Sequence, residues 1–156
     1  VVVNSEGLGS DWLRERGGGL GNLLLLPFQP FERLPEVLAT GDVLISVLEP
    51  DAGIFSVPSK VLTYLSAGRP VLGAIPAENL AARLIVRNEA GLIVPPDDTQ
   101  AFLAAAGKLA DDPGFRARLG KNALDYATKT FDIDAITARF SGLLERVVAK
   151  SRSAPR

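Results

Sequence analysis

A chain of 156 residues, 47% hydrophobic and 22% charged, is long enough for one globular domain with a sizeable core. Its net charge of −1 supplies no broad attraction to nucleic acid or to an anionic membrane surface. The absence of Cys and His excludes disulfides, thiol nucleophiles, imidazole bases and most zinc sites.

The chain starts Val-Val-Val and contains no Met, so it reads as a piece of a longer protein. No apolar run has the length of a membrane span, and no signal peptide is visible. A reducing compartment fits the lack of Cys, and a cytoplasmic location is the expectation, with the inner face of a membrane as a variant.

In chain order, Val1-Val2-Val3 reads as a truncated strand, and residues 4–9 as a loop with two glycines. Ser10 is positioned to cap a helix over residues 10–16, which Gly17-Gly18-Gly19 ends. Leu23 to Leu26 form a short run between Gly21-Asn22 and Pro27, predicted as a buried strand despite the helical preference of Leu. A helix over 34–39 closes at Gly41, and Val43-Leu44-Ile45-Ser46-Val47 is the clearest strand pattern. Pro58-Ser59-Lys60 opens a short apolar helix with Ser59 as its N-cap, and Gly68 stops it. Strands are expected over 71–75 and 91–94, with a helix over 78–88 between them. After Pro95-Pro96-Asp97 only helices remain, over 99–110, 113–130 and 133–150. Residues 151–156 read as a flexible tail, and its basic residues as a frayed end.

Continuous apolar strands alternating with helices argue for an α/β fold: a Rossmann-like parallel sheet, helices on both faces, and an all-helical C-terminal tail.

The segment carrying the most chemistry runs from Gly53 to Pro70-Val71. A glycine-containing loop leads through Pro58 into a helix start, where free backbone N–H groups and Lys60 would attract a phosphate. The same residues also read as an ordinary helix start with Lys60 in solvent. Phe28-Gln29-Pro30 follows the carboxyl end of a strand, where open α/β sheets bind ligands, and Phe28 and Phe31 could equally pack in the core. The glycines of residues 4–9 could form a second nucleotide-facing turn, although they are not a full dinucleotide fingerprint. Glu78-Asn79 reads as a helix cap. The acidic pairs Asp97-Asp98 and Asp111-Asp112 read as solvated approaches to helices, with no metal site expected.

The order Pro58-Ser59-Lys60, Leu62, Tyr64, Ala67-Gly68, Pro70-Val71 resembles the donor-binding half of retaining glycosyltransferases of the two-Rossmann-domain (GT-B) architecture, in the sucrose-synthase-like family 4. Further matching segments follow in order. They are Val1 to Gly9, Leu26 to Leu38, Asp42 to Ser46, the Gly91-Leu92-Ile93-Val94-Pro95-Pro96-Asp97 turn, and Phe131 to Asp134. The resemblance implies that residues 1–150 are part of a GT-B C-terminal domain lacking its first strand. The acceptor domain and a basic Arg/Lys pair would precede Val1, leaving this segment inactive by itself.

On the same resemblance, Gly53, Ser59 and Lys60 would face the diphosphate, Thr63 the ribose, and Phe28, Gln29 and Pro30 the base. The family carries a spaced pair of glutamates where this chain has Phe55 and Thr63. Glu49 and Asp51 stand near the first position, and Asp51 is also a natural turn residue. The departure resembles a Pro-Ser-Lys subgroup found among transferases of bacterial surface polysaccharides, which often use UDP-linked N-acetylamino sugars. The implied reaction moves a sugar from such a donor to a polysaccharide or lipid-linked acceptor with retention. No separate cofactor is expected, nor a nucleic-acid partner, nor membrane contact through this domain. A nucleotide-sugar epimerase domain and a non-enzymatic Rossmann-like interaction module are the alternatives. The family's strand order would be 23–26, then 1–4, then 43–47, 71–75 and 92–94, all parallel, with 1–4 closing against 43–47 where the first strand is missing.

Overall fold

The structure, a computed structural model, describes residues 1–52, 56 and 58–153. Among these residues strands and helices alternate as β1 (Val2–Asn4), α1 (Leu8–Gly17), β2 (Leu24–Leu26), α2 (Leu34–Ala39), β3 (Leu44–Val47), α3 (Ser59–Ser66), β4 (Val71–Ala74), α4 (Leu80–Arg87) and β5 (Gly91–Val94). Three helices follow: α5 (Thr99–Asp111), α6 (Pro113–Thr130) and α7 (Ile133–Ser153). Short 3-10 turns at Phe31–Arg33 and Pro50–Ala52 precede α2 and α3. Every strand pairing is parallel, helices cover both faces of the larger sheet, and the C-terminal part is all helical. This is the α/β architecture expected from the sequence.

The core lies around β4, all of whose residues are buried, as a central parallel strand requires. On one face Val71 and Ile75 meet Val61 and Leu65 of α3, Ala81 and Ile85 of α4, and Ala123 and Ala127 of α6. On the other, Leu72 packs with Leu109 and Leu119, joined by Val43, Leu92, Phe102 and Phe115. Helix ends follow local chemistry. Asp98 accepts from Ala101 N–H and Asp112 from Phe115 N–H, each at 2.8 Å, capping α5 and α6.

The strands form two sheets, β1-β2 and β3-β4-β5, instead of one. The expected pairing of residues 1–4 with 43–47 is therefore absent. That expectation assumed the facing edges would be buried and so forced to pair. Instead Val2 is 53% exposed on β1 and Val47 is 59% exposed on β3. Where a strand edge meets water, its N–H and C=O groups are satisfied without a neighbour. Exposure also overturns the reading of residues 23–26 as a buried strand, since Leu24 lies open to solvent and Leu25 and Leu26 are half-buried.

Two predicted caps are corrected. Gly7, at φ 91°, is the N-cap of α1, and Ser10 sits buried inside the first turn, its hydroxyl donating to Gly7 C=O at 2.9 Å. Gly reaches that backbone angle without strain, so the helix starts a few residues earlier. Pro58 is the N-cap of α3, and Ser59 is its first helical residue. Gly68, at φ 64°, follows the last turn of α3, as expected of a helix stop. Helix α7 runs to Ser153, and its apolar residues, such as Phe140 at 61%, are solvent-exposed.

Candidate functional site

In a parallel sheet the loops that leave the strand carboxyl ends gather on one side, and ligands of open α/β folds bind there. Two loops of this kind carry the candidate residues described by the structure. The first runs from β3 to α3. Val61 and Leu65 anchor α3 in the core, so its first turn is held at the carboxyl end of β3. Ser59 and Lys60 of that turn are exposed, and Thr63, one turn on, is half-buried.

Among the described residues no side chain caps the start of α3. Pro58 carries no side-chain acceptor, and the first turn is closed by Val61 N–H donating to Pro58 C=O at 3.0 Å. The Ser59 and Lys60 amides therefore stand at the positive end of the helix beside an exposed ammonium. Gly53, like Phe55, lies outside the described residues. Glu49 and Asp51 are exposed, and Asp51 sits in the Pro50–Ala52 turn.

A residue that sequence reasoning set aside holds this loop. Asn79 is fully buried, and its amide Nδ2 donates to Ser56 C=O at 2.6 Å. Its Oδ1 accepts from Ala81 N–H at 2.8 Å, so the same side chain caps α4. The cap was legible in the sequence. The link to Ser56 spans 23 residues and leaves no local signal.

The second loop follows β2. Phe28 is 64% and Phe31 81% exposed, which rules out the core packing that the sequence also allowed. Gln29 is half-buried, its Nε2 donating to Pro27 C=O at 3.0 Å, and Pro30 is exposed and leads into the Phe31–Arg33 turn. Phe28 N–H donates to Glu6 Oε1 at 3.1 Å, joining this loop to the one after β1. The two candidate regions belong to different sheets, and among the described residues no hydrogen bond or ion pair joins residues 28–30 to Ser59, Lys60 or Thr63.

Tyr64, behind Thr63 on α3, packs against the core, and burial raises its phenol above the usual range. An open depression of about 420 Å³ lies elsewhere, between Arg87–Glu89 and Asn122–Thr130. Glu89 precedes β5, which puts that hollow at the amino ends of the β3-β4-β5 strands, opposite the loop from β3 to α3. No helix among the described residues is long and apolar enough to cross a membrane.

Comparison with solved structures places the fold beside the sucrose-phosphate synthase of Thermosynechococcus elongatus. The TM-score is 0.70 at 20% identity, over 96% of this chain and 38% of that one. At this identity the likeness speaks for the fold alone, that of a partial GT-B domain, and the present chain spans well under half of that protein's length. No curated protein sequence matches the chain. The family described as "Glycosyl transferases group 1" matches residues 2–112, which include both strand-end loops and α3. By that match over most of its length, the chain belongs to the glycosyl transferases group 1 family.

Proposed function

We propose that this chain is the donor-binding part of a retaining glycosyltransferase of family 4, of the subgroup with Pro-Ser-Lys in place of the glutamate pair. The donor is a nucleoside diphosphate sugar, a UDP-linked amino sugar by the subgroup resemblance. The acceptor is a hydroxyl of a polysaccharide or lipid-linked precursor held by another domain, and the setting is cytoplasmic. One observation carries the reading: the uncapped start of α3, with Lys60 beside it, lies at the carboxyl end of β3 in a chain of the group 1 family.

A diphosphate leaving group builds negative charge as the glycosidic bond breaks. Amide N–H groups and an ammonium fixed beforehand stabilise that charge without reorganising. In this reading the Ser59 and Lys60 amides and the Lys60 ammonium meet the phosphates. Gly53 approaches them from the preceding loop. Thr63 offers a hydroxyl to the ribose, and the 28–30 loop meets the base. The chain contains no His. Retention with the departing diphosphate as proton acceptor needs no imidazole base, and the domain's work is to position the donor and stabilise charge.

Isothermal titration with UDP, UDP-N-acetylglucosamine and GDP-mannose tests this. Saturable binding of a nucleoside diphosphate, with at least one of the sugar nucleotides bound, is the expected result. No binding of any of the three would remove the donor role and favour an interaction module.

A further inference from the structure

We propose that Glu6 is a positioning residue for nucleobase selection: its carboxylate sets the form of the loop that follows β2. The inference rests on the reading of residues 28–30 as the base-facing segment.

Strands β1 and β2 are parallel with Asn4 opposite Leu26, so the loops that follow leave the sheet side by side at its carboxyl end. Ser5 N–H donates to Leu26 C=O at 3.0 Å, the last backbone link between them. The ladder uses alternate residues of β2, Leu24 and Leu26, so Phe28 N–H is the next amide turned toward β1. That amide is taken by Glu6 Oε1 at 3.1 Å. A side chain thus accepts the amide that would otherwise continue the backbone ladder to β1. With Gln29 Nε2 on Pro27 C=O, both links close the base of the loop and leave its tip, with the Phe28 ring, in solvent.

Glu6 is itself exposed and its bond to Phe28 bridges 22 residues, so it contributes nothing to the core. Its effect is local, ordering a short segment before a ligand arrives. Ordering a loop in advance lowers the entropy lost on binding, and that gain is realised only by the part of the ligand the loop touches. On the proposed reading the phosphates meet α3, away from this loop, and the base is that part.

The experiment is titration of UDP, GDP, ADP and inorganic pyrophosphate into wild-type protein, Glu6→Ala, Glu6→Ser and Glu6→Gln, with circular dichroism to verify folding. Wild-type protein should prefer one base. Glu6→Ala, or Glu6→Ser should the alanine variant fold poorly, should narrow that preference roughly five- to tenfold, the worth of one hydrogen bond to a charged group. Pyrophosphate binding should not weaken. Glu6→Gln keeps an acceptor for Phe28 N–H and should keep the preference. A truncation that preserves the preference overturns the proposal, as does Glu6→Gln behaving like Glu6→Ala. Equal binding of the three nucleotides by wild-type protein also overturns it, while the diphosphate site stands. Failure of every nucleotide to bind overturns the donor-site reading and this inference together.

Discussion

Gly120 of α6 lies against the carbonyl of Gly68, so close that a Cβ on Gly120 would stand 2.5 Å from that oxygen. The contact locks the end of α3 to α6. Gly68 holds φ 64°, and a Cβ there would meet Leu124 Cβ at 3.4 Å. Gly120→Ala must push two backbones apart and should lower stability by about 1–3 kcal/mol. Gly68→Ala should lose about 1 kcal/mol from the left-handed backbone alone. Urea unfolding curves of the two variants measure this. Stabilities equal to wild type for both would show that the helices do not meet this closely.

Lys60→Ala should weaken UDP binding by about 1–2 kcal/mol, the scale of a charge-assisted hydrogen bond to phosphate. Uridine lacks the phosphates and should be nearly insensitive to the change. Calorimetric titration of both ligands is the measurement, and equal loss for the two would remove Lys60 from the phosphate site. Lys60 is exposed, so the melting temperature should not move.

Asn79 does two things at once, and two substitutions separate them. Asn79→Ala removes the cap of α4 and the bond to Ser56 C=O, and should lower stability by about 2 kcal/mol. Asn79→Asp keeps an acceptor for Ala81 N–H but cannot donate to Ser56 while ionised. If the Ser56 link steadies the loop before α3, the Asp variant should bind UDP more weakly than its stability loss explains. Thermal melts and UDP titrations on both variants decide it.

Tyr64 gives the fold a component of alkaline sensitivity. Burial disfavours the phenolate, so the folded pKa lies above the ordinary value of 10.0. Between the ordinary and the raised pKa the folded state keeps a proton that the unfolded chain has lost. Stability therefore falls as pH rises through that window, and is untouched below it. Tyr64→Phe should make the drop in unfolding free energy between about pH 9 and about pH 11 smaller. An identical drop in the variant would show that the phenol ionises as freely folded as unfolded.

Local chemistry determined much of this protein from sequence alone. Pro113 and Asp112 mark the start of α6, Gly91 opens β5, and Gly68 ends α3, because caps, prolines and left-handed glycines act within a turn of themselves. Apolar period and length separated strands from helices for the same reason. The motif around Pro58 to Pro70 pointed to a helix start after a loop, and α3 begins at Ser59 with Pro58 rather than Ser59 as its N-cap. Exposure and long-range partners were decided only by the tertiary structure. Leu24, Phe28 and Phe31 carry apolar side chains, yet they face solvent because none of the described residues covers them. The separation of β1 from β3 follows from the same cause, since an edge in water has no need to pair. The bonds from Glu6 to Phe28 and from Asn79 to Ser56 join residues more than 20 apart in sequence. Such a bond depends on where two strands or helices end in space, and no periodicity along the chain records that.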